Sequence, residues 1–126
     1  MSFEADMVTY LEAHAGLAAL VSDRIYVGRI DDQNGEADCL VYQVVGGREL
    51  RMADYVEPRI LFGSWSKNFL TAVAIDAQLR DALEAYHGNM GTAHVRVRTD
   101  PGGDDFEEDT GWCRRKRYAR PLYRHA

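Results

Sequence analysis

The stretch "TAHVRVRTD" alternates without a break. Successive side chains of a strand point to opposite faces, so Ala93, Val95 and Val97 share one face while His94, Arg96 and Arg98 share the other. The fold must therefore supply a core for one face of this strand and leave the second to water or to a partner.

A helical period is equally clear between residues 67 and 87. Phe69, Ala72, Ile75, Leu79, Ala82, Leu83 and Tyr86 form one apolar stripe. Lys67, Thr71, Gln78, Asp81 and Glu84 are expected outward, with Asp76 and Arg80 as an i, i+4 pair. Ser66 is the expected cap and Gly88 the terminator. "SFEADMVTYLEAHAG" predicts a first helix with Ser2 as N-cap and Glu4 and Asp6 in an acidic first turn. Its buried stripe is Phe3, Met7, Leu11 and His14, and Gly16 is its expected stop. "LAALV" predicts a further short helical turn ending at Ser22 and Asp23.

Three more strands are expected. Arg24 to Ile30 is short, with Ile25, Val27 and Arg29 on one face. "CLVYQVV" (Cys39 to Val45) is the most apolar and β-branched run, which predicts a central strand covered on both faces and ended by Gly46 and Gly47. Val56 to Trp65 follows, with Pro58 near its start, where a missing donor is tolerable. "DDQNGEAD" reads as an exposed loop and "RELRMADY" as a charged connection. The order predicts an α+β domain: a mainly antiparallel sheet of four to five strands, flanked by two helices on one side. The 126 residues, without repeat or long linker, predict one domain over 1–126.

Charge is segregated near the end of the chain. "DPGGDDFEED" carries only acids, and "GWCRRKRYARPLYRHA" carries Arg114, Arg115, Lys116, Arg117, Arg120 and Arg124 with no acid. The whole chain has 20 acids against 15 Lys and Arg, a net charge of −5, which argues mildly against a dedicated nucleic-acid binder. Three readings of the basic segment stand. It is a sheet strand that also serves an interface, a DNA-contacting arm, or a solvated tail. As a strand, Trp112, Arg114, Lys116, Tyr118, Arg120, Leu122 and Arg124 share one face, and Cys113, Arg115, Arg117, Ala119, Pro121 and Tyr123 the other. Long Arg stems can lie over apolar surface while their heads stay wet. The acidic loop (Asp104, Asp105, Glu107, Glu108 and Asp109) can neutralise the basic strand within one subunit or between neighbours. Arg114, Arg115, Arg117 and Arg120 are thus candidates for contacting a neighbour's acidic loops. Tyr55, Trp65 and Trp112 are candidate aromatic anchors, each equally placed to be core. Reversing Arg115 and Arg117 to Glu is expected to weaken assembly and leave the fold intact.

No constellation for catalysis stands out. His14, His87, His94 and His125 match no metal spacing, and the Asp-rich loop does not fit a calcium loop. There is no phosphate-binding glycine fingerprint and no serine in GxSxG. Cys39 and Cys113 are far apart with no CxxC, so both are expected reduced. No secretion pattern appears, nor an apolar run near the ~20 residues of a membrane helix. The expectation is a non-enzyme without cofactor or metal, made in a reducing cytoplasm and not bound to membrane.

"GLAALVSDRIYVGRI", "CLVYQVVGG", the strand ending "GSW", the helix ending "LRDALEAYHG" and the late "DTGWCRRKRYARPLYR" together resemble the small tail completion, or head–tail joining, proteins of long-tailed bacteriophages. The resemblance runs from about Met7 to Arg124 and departs from the family pattern at "LRMADYVEPR" and "EADC". It implies a fold like that of tail terminators. It also implies a virion ring, typically of six copies, between the head connector or adaptor and the tail tube, assembled in the bacterial host cytoplasm. DNA would then be passing cargo, with the acidic loops facing the lumen so that it slides. The alternatives are a small nucleic-acid-binding module using the basic strand, or another virion ring component such as a connector adaptor or tail tube subunit.

Overall fold

The structure, a computed structural model, describes residues 3–28, 38–50 and 55–124. Its elements run α1 (Phe3–Glu12), α2 (Ala15–Val21), β1 (Ile25–Val27), β2 (Cys39–Leu50), β3 (Tyr55–Ser66), α3 (Phe69–Leu83), β4 (His87–Met90), β5 (Ala93–Phe106) and β6 (Cys113–Arg124). One sheet of six strands has the order β1-β2-β3-β6-β5-β4. Every pairing is antiparallel except β1 with β2, which is parallel from Ile25↔Leu40 to Val27↔Tyr42. The fold class is therefore α+β as expected, but the sheet is mixed and has six strands rather than four to five. Three helices flank it rather than two. Periodicity reports which face a residue takes and is silent on strand direction, so the parallel edge was not readable.

The core lies between the helices and one sheet face. Phe3, Met7 and Leu11 descend from α1 at the expected i, i+4 spacing, and Leu17 and Val21 come from α2. Ile75, Leu79, Ala82 and Leu83 descend from α3 onto Leu40, Tyr42, Ile60, Phe62, Val95, Val97 and Ala119 of the sheet. Phe3 stacks on Tyr123 with ring centroids 4.0 Å apart, tying the first helix to the last strand. Burying such side chains contributes about 1.5–3 kcal/mol each.

Local chemistry moved several boundaries. Gly16 does not stop α1; it lies inside α2, where an added Cβ would sit 1.9 Å from Gln78 Oε1 of α3. His14 ends up outside α1, in the N-cap position of α2. On α3 the cap is Asn68, whose Oδ1 accepts the Leu70 N–H at 3.0 Å, while Ser66 Oγ accepts the Asn68 N–H. The helix ends at Leu83, before Ala85 at φ +56°, so Tyr86 falls outside it and Gly88 sits in β4. Phe69 is 43% exposed at the first turn and does not join the buried stripe.

Two strands outrun their expected ends. β2 passes through Gly46 and Gly47 because a bulge after Val44 absorbs an extra residue and the ladder resumes at Gly46↔Arg59. It is second from the edge, and only its first four residues are covered on both faces: Cys39 to Tyr42 are buried, Val44 and Val45 exposed. β5 continues from the alternating run to Phe106 through a bulge at Gly102. The Ser2 cap, the end of the first strand at Arg29 and Ile30, the loop 31–37, residues 51–54 and His125 lie outside the described residues.

Candidate functional site

The basic segment is β6, and it lies inside the sheet, hydrogen-bonded to β3 on one side and β5 on the other. Its alternation is as read from the sequence. Arg115, Arg117, Ala119, Pro121 and Tyr123 point to the helices; Arg114, Lys116, Tyr118, Arg120 and Leu122 point to the face that no helix covers.

Arg117 is a core residue, which corrects its place among the surface candidates. It is 9% exposed and gives two hydrogen bonds to Asp76 of α3, Nε–Oδ1 at 2.9 Å and Nη2–Oδ2 at 3.0 Å. Its Nη1 donates to Thr99 Oγ1 at 3.2 Å, and the Thr99 hydroxyl donates to Glu84. Asp76 therefore turns inward, away from the expected pairing with Arg80. A buried charge needs such a complete set of partners.

Asp104 and Asp105 are strand residues, so the acidic "loop" shrinks to the turn 107–111. The bulge at Gly102 changes the parity of β5, setting Asp104 opposite Arg115 and Asp105 opposite Arg114. Each pair sits on its own face of the ribbon. Arg115 Nε donates to Asp104 Oδ1 at 2.8 Å, and Arg114 donates to Asp105. These hydrogen bonds hold both carboxyls below their usual range, and Asp104 raises the Arg115 guanidinium. The neutralisation of Arg114 and Arg115 is thus internal to one subunit. Glu107, Glu108 and Asp109 form an exposed tip beside Phe106, which is 61% exposed, and none of the three makes an ion pair with a described residue.

The aromatic candidates divide. Trp65 and Trp112 meet edge to face at 6.3 Å, half-buried where β6 leaves the β5–β6 turn. Arg114 covers Trp65 at 5.0 Å and Lys67 covers Trp112 at 5.7 Å. Tyr55, 37% exposed, stands at the other end of β3, opposite Arg124.

The remaining candidate, Arg120, belongs to a cluster the sequence showed only in fragments. Arg120 is the direct cross-strand partner of Arg98, and the register Ile60↔Ala119 places Arg59 on its other side. Three arginines thus stand in a row across β3, β6 and β5. With Arg48, Arg96, Glu57, Gly47 and Leu122 they line a concavity of about 700 Å³ on the uncovered sheet face. Pairing of β3 with β6 lapses here, between Val56↔Tyr123 and Ile60↔Ala119, where Pro58 faces Pro121 and neither carries an N–H. Arg48 is bound by Glu57 at 3.1 Å. Arg59 covers the Tyr118 ring at 4.3 Å. Arg59, Arg96, Arg98 and Arg120 make no ion pair with any described residue. Like charges directly opposite in a sheet repel, so an anion set on this row would relieve the repulsion. The signal for Arg96 and Arg98 was the alternation of β5; for Arg48 and Arg59 no local signal existed, because strand order alone brings them there.

This fold has a solved counterpart. It is similar to a chain in a structure described as the virion of a native gene transfer agent (GTA) particle, with a TM-score of 0.76. The likeness covers 98% of this chain and 96% of that chain at 19% sequence identity, so it speaks to the fold. No protein-family model matches the chain, and no curated protein does.

Proposed function

We propose that this protein is a structural subunit of a phage-like particle, acting as a ring of about six copies that joins the head connector to the tail tube. The observation that carries the particle part is the fold likeness to a GTA virion chain along nearly the full length of both. The position at the head–tail junction and the copy number rest on the sequence resemblance to tail completion proteins. On this reading the role is architectural rather than catalytic, the partners are copies of itself, a connector or adaptor and a tail tube protein, and DNA passes through the lumen.

The charge layout supports self-association. A chain of net charge −5 concentrates arginine in a groove on one sheet face and unpaired acid at a hairpin tip. A ring needs such unlike surfaces, since heterologous contacts are the ones that close into a ring. Native mass spectrometry and negative-stain images of the purified protein are expected to give closed rings of one size; open filaments or compact two-fold dimers would contradict the reading.

The arginine groove also favours a second reading, a nucleic-acid surface. It is separable by titration with duplex DNA. Phosphate-dominated binding falls steeply with salt, by about 10³–10⁵-fold between 50 and 200 mM for a protein making 6–10 phosphate contacts. Tight binding that persists near physiological salt would put this second reading ahead.

A further inference from the structure

We infer that the arginine groove receives the acidic β5–β6 hairpin tip of a neighbouring copy, so that one subunit's Glu107, Glu108 and Asp109 neutralise the next subunit's Arg59, Arg98 and Arg120. This deepens the ring reading and rests on it only for closure and copy number.

The two surfaces are complementary in charge and each is unsatisfied alone. Among the described residues, Arg59, Arg98 and Arg120 make no ion pair, Glu57 in the same groove being taken by Arg48, and the three tip acids make none either. They also match in their apolar parts. Phe106 stands exposed beside the tip, and the groove has Leu122 and the arginine stems on its wall. The turn is well formed, with Glu107 N–H bonded to Trp112 O and Gly111 N–H to Glu107 O, both at 2.9 Å, so little ordering is required on docking. A concavity of about 700 Å³ takes a turn of several residues.

Geometry excludes the same contact within one chain. Tip and groove lie on the same pair of strands, and Cys113 to Arg120 spans roughly 20–25 Å along an extended strand. A tip can therefore fill only another copy's groove. Such a contact is head-to-tail, and repeating it gives a ring or a filament. It places the 107–109 acids between subunits instead of facing the lumen. Duplex DNA fits less well, because the groove also holds the Glu57 carboxylate, which repels phosphate.

The test is a charge swap followed by native mass spectrometry and sedimentation at low salt. One variant carries Arg98→Glu and Arg120→Glu; the other carries Glu107→Lys, Glu108→Lys and Asp109→Lys. Each alone is expected to lose self-association by at least tenfold in dissociation constant. An equimolar mixture is expected to regain it, with both variants incorporated equally, because each tip then meets a groove of opposite sign. Recovery on mixing also shows that both variants are folded.

Unchanged assembly of either variant alone, or no recovery on mixing, overturns the contact. So does a wild type that stays monomeric up to its highest soluble concentration at low salt. If the Arg98→Glu, Arg120→Glu chain assembles as the wild type does and instead loses duplex binding, the contact is overturned and the groove belongs to phosphate. Recovery into assemblies of indefinite length would uphold the contact and overturn the ring; rings formed by wild type and both variants alike would do the reverse.

Discussion

Arg117 and Arg115 are two residues apart, and their substitution should have very different consequences. Arg117→Ala leaves Asp76, almost fully buried, without its partner and strips Thr99 of a donor, which is expected to cost about 3–5 kcal/mol. Denaturant unfolding of the variant measures it. The sequence-based expectation that Arg117→Glu spares the fold is thereby reversed, since a second carboxylate would face Asp76 in the core. Arg115→Ala removes an ion pair whose partners are 32% and 40% exposed, and about 1 kcal/mol or less should be lost. Asp104 and Asp105 have folded pKa values below their unfolded ones, near 3.9. Their contribution is present above that pH and is lost as pH falls through the folded values. An acid titration followed by fluorescence of Trp65 and Trp112, beside these pairs at the β5–β6 turn, should therefore change below about pH 4 and stay flat from 5 to 8. Cys39, whose thiol burial pushes up to about 11, should resist thiol reagents at neutral pH until the protein unfolds.

Elements were legible where one periodicity governed them. The α1 stripe, the faces of β5 up to Thr99 and both faces of β6 follow from counting residues. Legibility failed where a single inserted residue changed parity, as at Gly102, or where a distant partner overruled a local rule. Asp76 prefers Arg117, 41 positions away, to Arg80 one turn along. Gly16 looked like a stop because glycine often ends helices, yet here it admits Gln78 of a packed neighbour. Gly47 is the more demanding glycine. Its φ is +135°, and an added Cβ would lie 2.6 Å from the Glu57 carbonyl oxygen and the Pro58 Cα, both main chain. Gly47→Ala is expected to destabilise by about 1–3 kcal/mol, from backbone strain and the clash together. Gly16→Ala meets only the flexible end of a side chain and should cost less. Thermal unfolding of the two variants side by side checks the order.

At the scale of the whole molecule, charge is sorted by face. The helices and one sheet surface close a core, and the opposite sheet surface carries arginines brought together from β2, β3, β5 and β6. Nothing in a linear reading places Arg48 and Arg59 beside Arg98 and Arg120; the crossover that inserts β6 between β3 and β5 does. Arg114, Arg115, Lys116 and Arg117 of the basic segment are paired with acids of the same chain, and Arg120 is its member in the groove. The free positive charge belongs to the sheet face as a unit. The most direct test of the account is to locate the subunit in intact particles from a host that makes it, using a small C-terminal tag and cryo-electron microscopy. One tagged ring per particle, between head and tail, is expected; label repeated along the tail, or particles that lack the protein, would contradict the head–tail joining role.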